Sequence, residues 1–215
     1  MAGRSEIPLI EFLERLRKGE DVMVEYGSKE PAHLIFLSFL ESLKRLGRKF
    51  LLIDELDQLH VFRAHVKLSG LDVGAIDEAK VVKFGGILNT GNVVGRIDLT
   101  EEPPVRKKRY EEILKNLGES MDFRLMLGFD KVIRSFEGNP KEIERIFGYL
   151  IRPHLGDESR VTVYMVNRDL LRPEILNEMR EHATRVLESR LSGNGLSLVV
   201  TKSIHVDEYG TGISI

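Results

Sequence analysis

The sequence predicts an α/β domain in three layers, α/β/α, around a mostly parallel sheet. Short, almost unbroken apolar runs, such as residues 21–27 and 161–166, alternate with stretches whose apolar residues recur at helical spacing. Runs of that kind are strands covered on both faces. Right-handed crossovers between them give parallel order, with helices above and below.

Taken in order, residues 10–17 place Ile10, Leu13 and Leu16 on one helical face, which ends at Gly19. Residues 21–27 form a strand through Val22, Met23, Val24 and Tyr26. Pro31 suits the first turn of a helix over residues 32–46, which Gly47 stops. A strand at residues 49–53 and a helix at 56–68 follow. Val81, Val82 and Phe84 start a third strand, and residues 93–99 pair with it after a turn at 89–92, so that residues 85–104 form a hairpin or an irregular excursion. Residues 103–117 are helical and basic, 123–129 a strand, 140–150 a helix, 161–166 a strand and 173–191 a long helix. Residues 196–200 and 203–206 finish the sheet, and residues 209–215 add an antiparallel edge. Gly193-Asn194-Gly195 and Gly210-Thr211-Gly212 read as turns, because neither opens a helix after a strand.

Composition bounds the function classes. The 215 residues, 42% apolar and 31% charged, suit one domain over residues 1–215 with a sizeable core. The longest apolar runs, 34–40 and 161–166, are far short of the roughly 20 residues of a membrane span, and Arg4 and Glu6 precede no signal-like apolar stretch. These features predict a cytoplasmic protein. Cysteine is absent, which removes disulfides, thiolate nucleophiles and Cys-based zinc sites. The lack of Trp and the abundance of Lys, Arg and Glu lean toward a thermophilic source. A net charge of -2 gives no global attraction to nucleic acid or anionic membrane.

Ligands on sheets of this kind bind beyond the carboxyl ends of the strands, so the loops at 27–33, 54–58 and 129–134 matter most. The stretch VMVEYGSKEPAHLIFLSFLESLKRLGRKFLLIDELDQL resembles the start of RecA and KaiC-like ATPases, with strand, phosphate loop, helix and second strand in that order. FRLMLGFDKVI resembles the strand of those proteins that ends in a magnesium-linked aspartate. The chain is also similar to an archaeal, Thermococcales-type family of proteins without assigned function. The resemblance implies a RecA-like P-loop NTPase fold and points to ATP and magnesium as the ligands to test.

Against that implication stand the residues themselves. On the phosphate-loop pattern G-x-x-x-x-G-K-[ST], Gly27 matches the first glycine, but Ala32, His33 and Leu34 stand at the second glycine, the lysine and the hydroxyl residue. A Cβ on a left-handed residue costs roughly 1–2 kcal/mol. A histidine near its ordinary pKa of about 6.5 is mostly neutral at pH 7, and leucine offers magnesium no oxygen. Pro31 removes a further amide donor. Charged hydrogen bonds are worth roughly 1.5–3 kcal/mol each, so these losses weaken triphosphate binding by orders of magnitude. The Walker A loop is therefore degenerate.

Some pieces stay compatible with a site. The resemblance implies that Glu55 stands where KaiC-like enzymes carry the glutamate preparing the attacking water, with Asp54 beside it, and that Asp130 loosely matches the metal-linked aspartate. Ser28 lies in the loop, and Lys29 is placed to replace the missing lysine. The alternative is that these acids cap helices, Lys29 is solvated, and His33 caps a helix or faces solvent. Asp54, Asp57 and Asp130 can similarly be read as a hard-cation set or as caps. His60 and His65, five apart, miss the spacing of a zinc pair. Arg106, Lys107, Lys108 and Arg109, flanked by Glu101, Glu102, Glu111 and Glu112, read as a solvated helix face. The leading expectation is a non-catalytic RecA/KaiC-like domain that binds protein or assembles with itself through sheet edges and exposed helices. The alternatives are a nucleotide-binding protein or ATPase with a variant loop, and a nucleic-acid accessory protein.

Overall fold

A computed structural model describes residues 6–193 and 195–215. Strand β1 (Glu6–Pro8) leads into helix α1 (Leu9–Arg15), strand β2 (Asp21–Tyr26), helix α2 (Ala32–Arg45), strand β3 (Phe50–Glu55) and helix α3 (Gln58–Leu68). A short α4 (Gly74–Asp77), strands β4 (Lys80–Phe84) and β5 (Asn92–Ile97) and helix α5 (Pro103–Leu117) follow. Strand β6 (Phe123–Leu127), helices α6 (Phe129–Ser135) and α7 (Pro140–Ile146), a π-helical turn (Phe147–Ile151) and strand β7 (Val161–Asn167) come next. Helix α8 (Pro173–His182) and strands β8 (Arg185–Ser192), β9 (Gly195–Ser203) and β10 (Gly212–Ser214) complete the chain.

All ten strands form one sheet, in the order β1-β10-β9-β8-β2-β7-β6-β3-β4-β5. From β8 to β5 every neighbouring pair is parallel, whereas β9 runs antiparallel to both β8 and β10. Side-chain alternation then sorts the core into two layers. Val22, Val24, Leu52, Leu125 and Val163 pack under α1 to α4. Met23 and Val166 pack under α6 to α8, and Leu51, Ile53 and Val82 under α5. The three-layer, mostly parallel architecture with antiparallel strands toward one side is the one the sequence predicts.

Several elements differ. Residues 173–191 are not one helix: α8 stops at His182 and residues 185–192 are β8, which pairs with both β2 and β9. Buried Val186 and Leu187 on opposite layers fit a strand enclosed on both faces. Residues 85–104 do not make a hairpin, because β5 lies parallel to β4 and residues 85–91 cross back without a helix. The crossing is tied to Asp57, whose carboxylate accepts the amides of Ile87 (2.8 Å) and Leu88 (3.1 Å). Strand β3 runs on through Glu55, so the helix expected from residue 56 begins at Gln58. Residues 129–134 are helix α6 rather than a loop, and 196–203 lie in one strand, with residues 206–208 in a 3-10 turn. Strand β1, at one end of the sheet, went unpredicted; it is three residues long and pairs only with β10. The reading that rested on Arg4, and the Asn194 of the predicted turn, lie outside the described residues. No helix among the described residues is long and apolar enough to cross a membrane.

Candidate functional site

Parallel order brings the carboxyl ends of β2, β3, β6 and β7 to one end of the sheet, and the predicted ligand loops meet there. Gly128, between β6 and α6, has φ +84°, and a Cβ on it would lie 2.3 Å from the Glu55 carbonyl oxygen. Only glycine permits this approach of the β3 and β6 ends. Asp130, buried just beyond, accepts the Asn167 amide at 3.1 Å, and the Asn167 side chain donates to Ser28 Oγ at 3.0 Å. The ends of β2, β6 and β7 are thus linked through side chains, and the end of β3 meets β6 through backbone.

The turn after β2 is folded onto the chain's own acids. The Gly27 amide donates to Glu30 Oε2 at 2.6 Å and the Ser28 amide to Asp169 Oδ2 at 2.7 Å. The Glu30, Ala32 and Leu34 amides are taken by the carbonyls of Gly27, Glu30 and Pro31. Glu30 also pairs with Arg168 at 2.9 Å and accepts from Ser189. These donors hold its carboxyl below the ordinary carboxylate range although burial opposes them. Two carboxylates therefore occupy amides that a phosphate loop turns to an anion. Ala32 is buried, Lys29 is exposed and Leu34 half-buried. His33 contacts Ser69 Oγ at 3.3 Å and stacks edge-on against His65, with ring centroids 5.4 Å apart. Burial and then His65 push its pKa down. The sequence reading weighed His60 with His65 and missed this pair, because α2 and α3 bring His33 and His65 together only through packing.

At the end of β3 the acids separate. Asp54, fully buried, accepts the Leu59 amide at 2.8 Å at the start of α3 and pairs with buried Lys83 at 2.5 Å. Asp57 also pairs with Lys83, at 2.7 Å. The ammonium of Lys83 thus stands where a hard cation shared by Asp54 and Asp57 was considered, and only Asp54 acts in capping. Leu56 (φ 53°) and Asp57 (φ 61°) are both left-handed, a costly turn for non-glycine residues that the Asp57 contacts hold in place. Among the described residues no group of three or more His, Asp or Glu can hold a metal.

Glu55 turns away from the β2 turn. It is 4% exposed and lines a cavity of about 60 Å³ between the sheet and α5, with Arg106, Arg124, Arg160, Tyr110 and Tyr164. Burial, and then Asp130, push its pKa up to about 8, and its Oε2 has no hydrogen-bond partner among the described residues. Asp130 is pushed up to about 6, mainly by burial. Arg106 corrects the sequence reading of residues 106–109 as a solvated face: it is 2% exposed. The phase of α5 explains this, since Arg106, Tyr110, Ile113 and Leu117 recur at three- and four-residue steps toward the sheet. Arg109, outside that face, pairs with Glu101 at 2.7 Å. Lys107 lies partly buried at the cavity.

Comparisons with known proteins agree with this fold. No curated protein matches the chain. The structure is similar to that of PH0250 from Pyrococcus horikoshii OT3, with TM-score 0.82 and 27% identity over 97% of this chain and 98% of that one. It is also similar to PH0321 from Pyrococcus horikoshii, solved in complex with an unknown peptide (TM-score 0.60, 16% identity, 91% and 89% covered). A third similar structure is the KaiC-like protein PH0186 from Pyrococcus horikoshii OT3 (TM-score 0.57, 13% identity, 97% and 91% covered). A family model described as Pyrococcus protein of unknown function, DUF257, matches residues 11–214, and the chain belongs to this family.

Proposed function

From that family and its KaiC-like fold, we propose that the chain is a non-catalytic domain, single over residues 1–215, that recruits a protein partner rather than hydrolysing a nucleotide. The observation that carries this reading is the pairing of the Gly27 and Ser28 amides with the Glu30 and Asp169 carboxylates. A triphosphate in the turn must displace both acids and break the 2.9 Å pair of Glu30 with Arg168. Neither Ala32, His33 nor Leu34 supplies a compensating cation or magnesium ligand. Under the alternative, a variant loop using Lys29 or His33 with Glu55 near the water, Glu55 must leave the α5 cavity. Its burial there weighs against that role.

The partner we favour is an extended peptide segment added as a strand beside β5. This strand ends the sheet, and a shallow groove of about 630 Å³ runs along it, lined by Asn89, Asn92, Val93, Val94 and Arg96. At the opposite end, β1 spans only Glu6–Pro8, and Pro8 offers no amide. A register shift at Val81/Val82 and Arg96 restrict pairing of β5 with a second β5, leaving strand addition by a different segment. The peptide bound to PH0321 is consistent with this class of partner.

Two measurements test the reading. Thermal unfolding with ATP, ADP and magnesium is expected to give flat curves; a melting temperature that climbs with nucleotide would overturn it. Random peptides selected on the wild-type chain are expected to lose binding to V94P, which sits at the β5 irregularity and blocks an added strand. Peptides that bind both proteins equally exclude β5 as the docking edge.

A further inference from the structure

The cavity beneath α5 gathers three arginines whose charge is only partly offset among the described residues, with Glu55, Glu142 and Glu102 acting on Arg106 without forming an ion pair. Arg106 comes from the first turns of α5, Arg124 from β6, and Arg160 from the residue before β7. Arg106 and Arg160 are 2% and 6% exposed. The Nε atoms of all three have no hydrogen-bond partner, and neither Arg106 nor Arg124 has an ion pair, among the described residues. Arg160 pairs at its other end with Asp157, while Arg124 lies over the Tyr110 ring, 5.2 Å from its centroid.

Outside this cavity the one buried arginine among the described residues is met by acid. Arg185, 1% exposed, lies between Glu20 and Glu208. Leaving charge unpaired in a low-dielectric interior is costly, so the α5 cavity is an exception that needs a counter-charge. Glu55, the acid at its wall, carries its proton up to about pH 8 and so supplies little negative charge at neutrality. The positive field registers on His154 at the rim, where burial and then Arg160, Lys107 and Arg124 push the pKa down to about 4.

The shape is also particular. Phe147–Ile151 is a π-helical turn, a rare geometry that recurs at functional sites, and it sets Leu150 and Ile151 against the cavity. A volume of about 60 Å³ leaves room for about four to six water-sized positions. Apart from the cations the walls are largely apolar, with Phe84, Tyr110, Phe129 and Tyr164 among them.

We infer that this cavity binds a small organic carboxylate, its oxygens against Arg106, Arg124 and Arg160 and its hydrocarbon body against the aromatic walls. Guanidinium presents a planar pair of N–H donors that matches a carboxylate. The apolar walls favour a carboxylate with a short hydrocarbon body over a fully hydrated inorganic anion. Cations kept without partners at the expense of stability are typical of a binding site.

The test uses the full chain with sodium propionate, acetate and phosphate at constant ionic strength, followed by thermal unfolding and titration calorimetry. Propionate is expected to raise the melting temperature most, with affinity falling by about tenfold or more in R106M and R124M. R106K retains part of the effect, and R124M carries the comparison if R106M does not fold. Flat curves for all three anions, or a propionate response undiminished in R106M and R124M, overturn the site. A phosphate response without a propionate response overturns the carboxylate.

Discussion

Two parts of the same sheet treat charge in opposite ways. Around β2 and β8, charges are matched: buried Arg185 with Glu20 and Glu208, buried Glu25 with a bidentate, partly exposed Arg180, and half-buried Arg168 with Glu30. Under α5, Arg106 and Arg124 face a cavity with no ion pair among the described residues. The first region resembles a site that has been filled from within, since Glu30 and Asp169 sit on the amides of the turn after β2. The second is electrostatically incomplete. The turn where a parallel sheet of this kind commonly takes a ligand and the region with unpaired cations thus need not coincide in one fold.

Removing a cation from each region separates them most sharply. R185M leaves Glu20 and Glu208 buried without their partner, and is expected to cost about 3–5 kcal/mol in urea unfolding. A loss under 1 kcal/mol would erase the distinction between the regions. Next in size, E30A strips the acceptor from the Gly27 amide, Ser189 and Arg168, with an expected loss of about 2–3 kcal/mol. ATP binding by E30A would show that this carboxylate alone closes the turn.

The pH response sharpens the other side. In the fold Glu55 keeps its proton up to about pH 8, whereas the unfolded chain releases it near 4.5. The folded state therefore binds the extra proton between those values, and stability falls as pH rises through them. Asp130, raised to about 6, acts in the same direction only below that pH. His154, neutral in the fold down to about 4, acts oppositely and only below its ordinary 6.5. Between pH 6.5 and 8 the Glu55 contribution stands apart, a decline of about 1–2 kcal/mol that E55Q is expected to remove. An unchanged slope in E55Q places the titrating group elsewhere. The smallest change is the most pointed: R106M, opposite in sign to R185M, is expected to stabilise the ligand-free chain by up to about 1 kcal/mol. Destabilisation on the scale of R185M would mean that Arg106 has a partner after all.

Much of the fold was legible because strands enclosed on both faces leave a local trace, as in Val22 to Val24 and Leu51 to Ile53. Residues 185–192 left none. Their Arg, Glu and Leu suit a helix equally well, and pairing with β2 and β9 decides the matter. The turn after β2 was half legible. Glu30 lies inside it, but Arg168 and Asp169 arrive from β7, far along the chain. The cation cavity had weaker signals, since Arg106, Arg124 and Arg160 come from separate elements. The available hints were an arginine between Phe123 and Leu125 in an apolar strand, and Arg106 in phase with Tyr110 and Ile113.

The pairing of β1 with β10 joins Glu6 to Gly212 and Pro8 to Ser214. Closing so long a loop is entropically the most demanding contact in the sheet, and only three residues on each side reward it. This seam is therefore expected to dock last in folding and to open first in the native state. Amide deuterium uptake there should outrun that of β2 and β7 and mark the least cooperative margin of the domain.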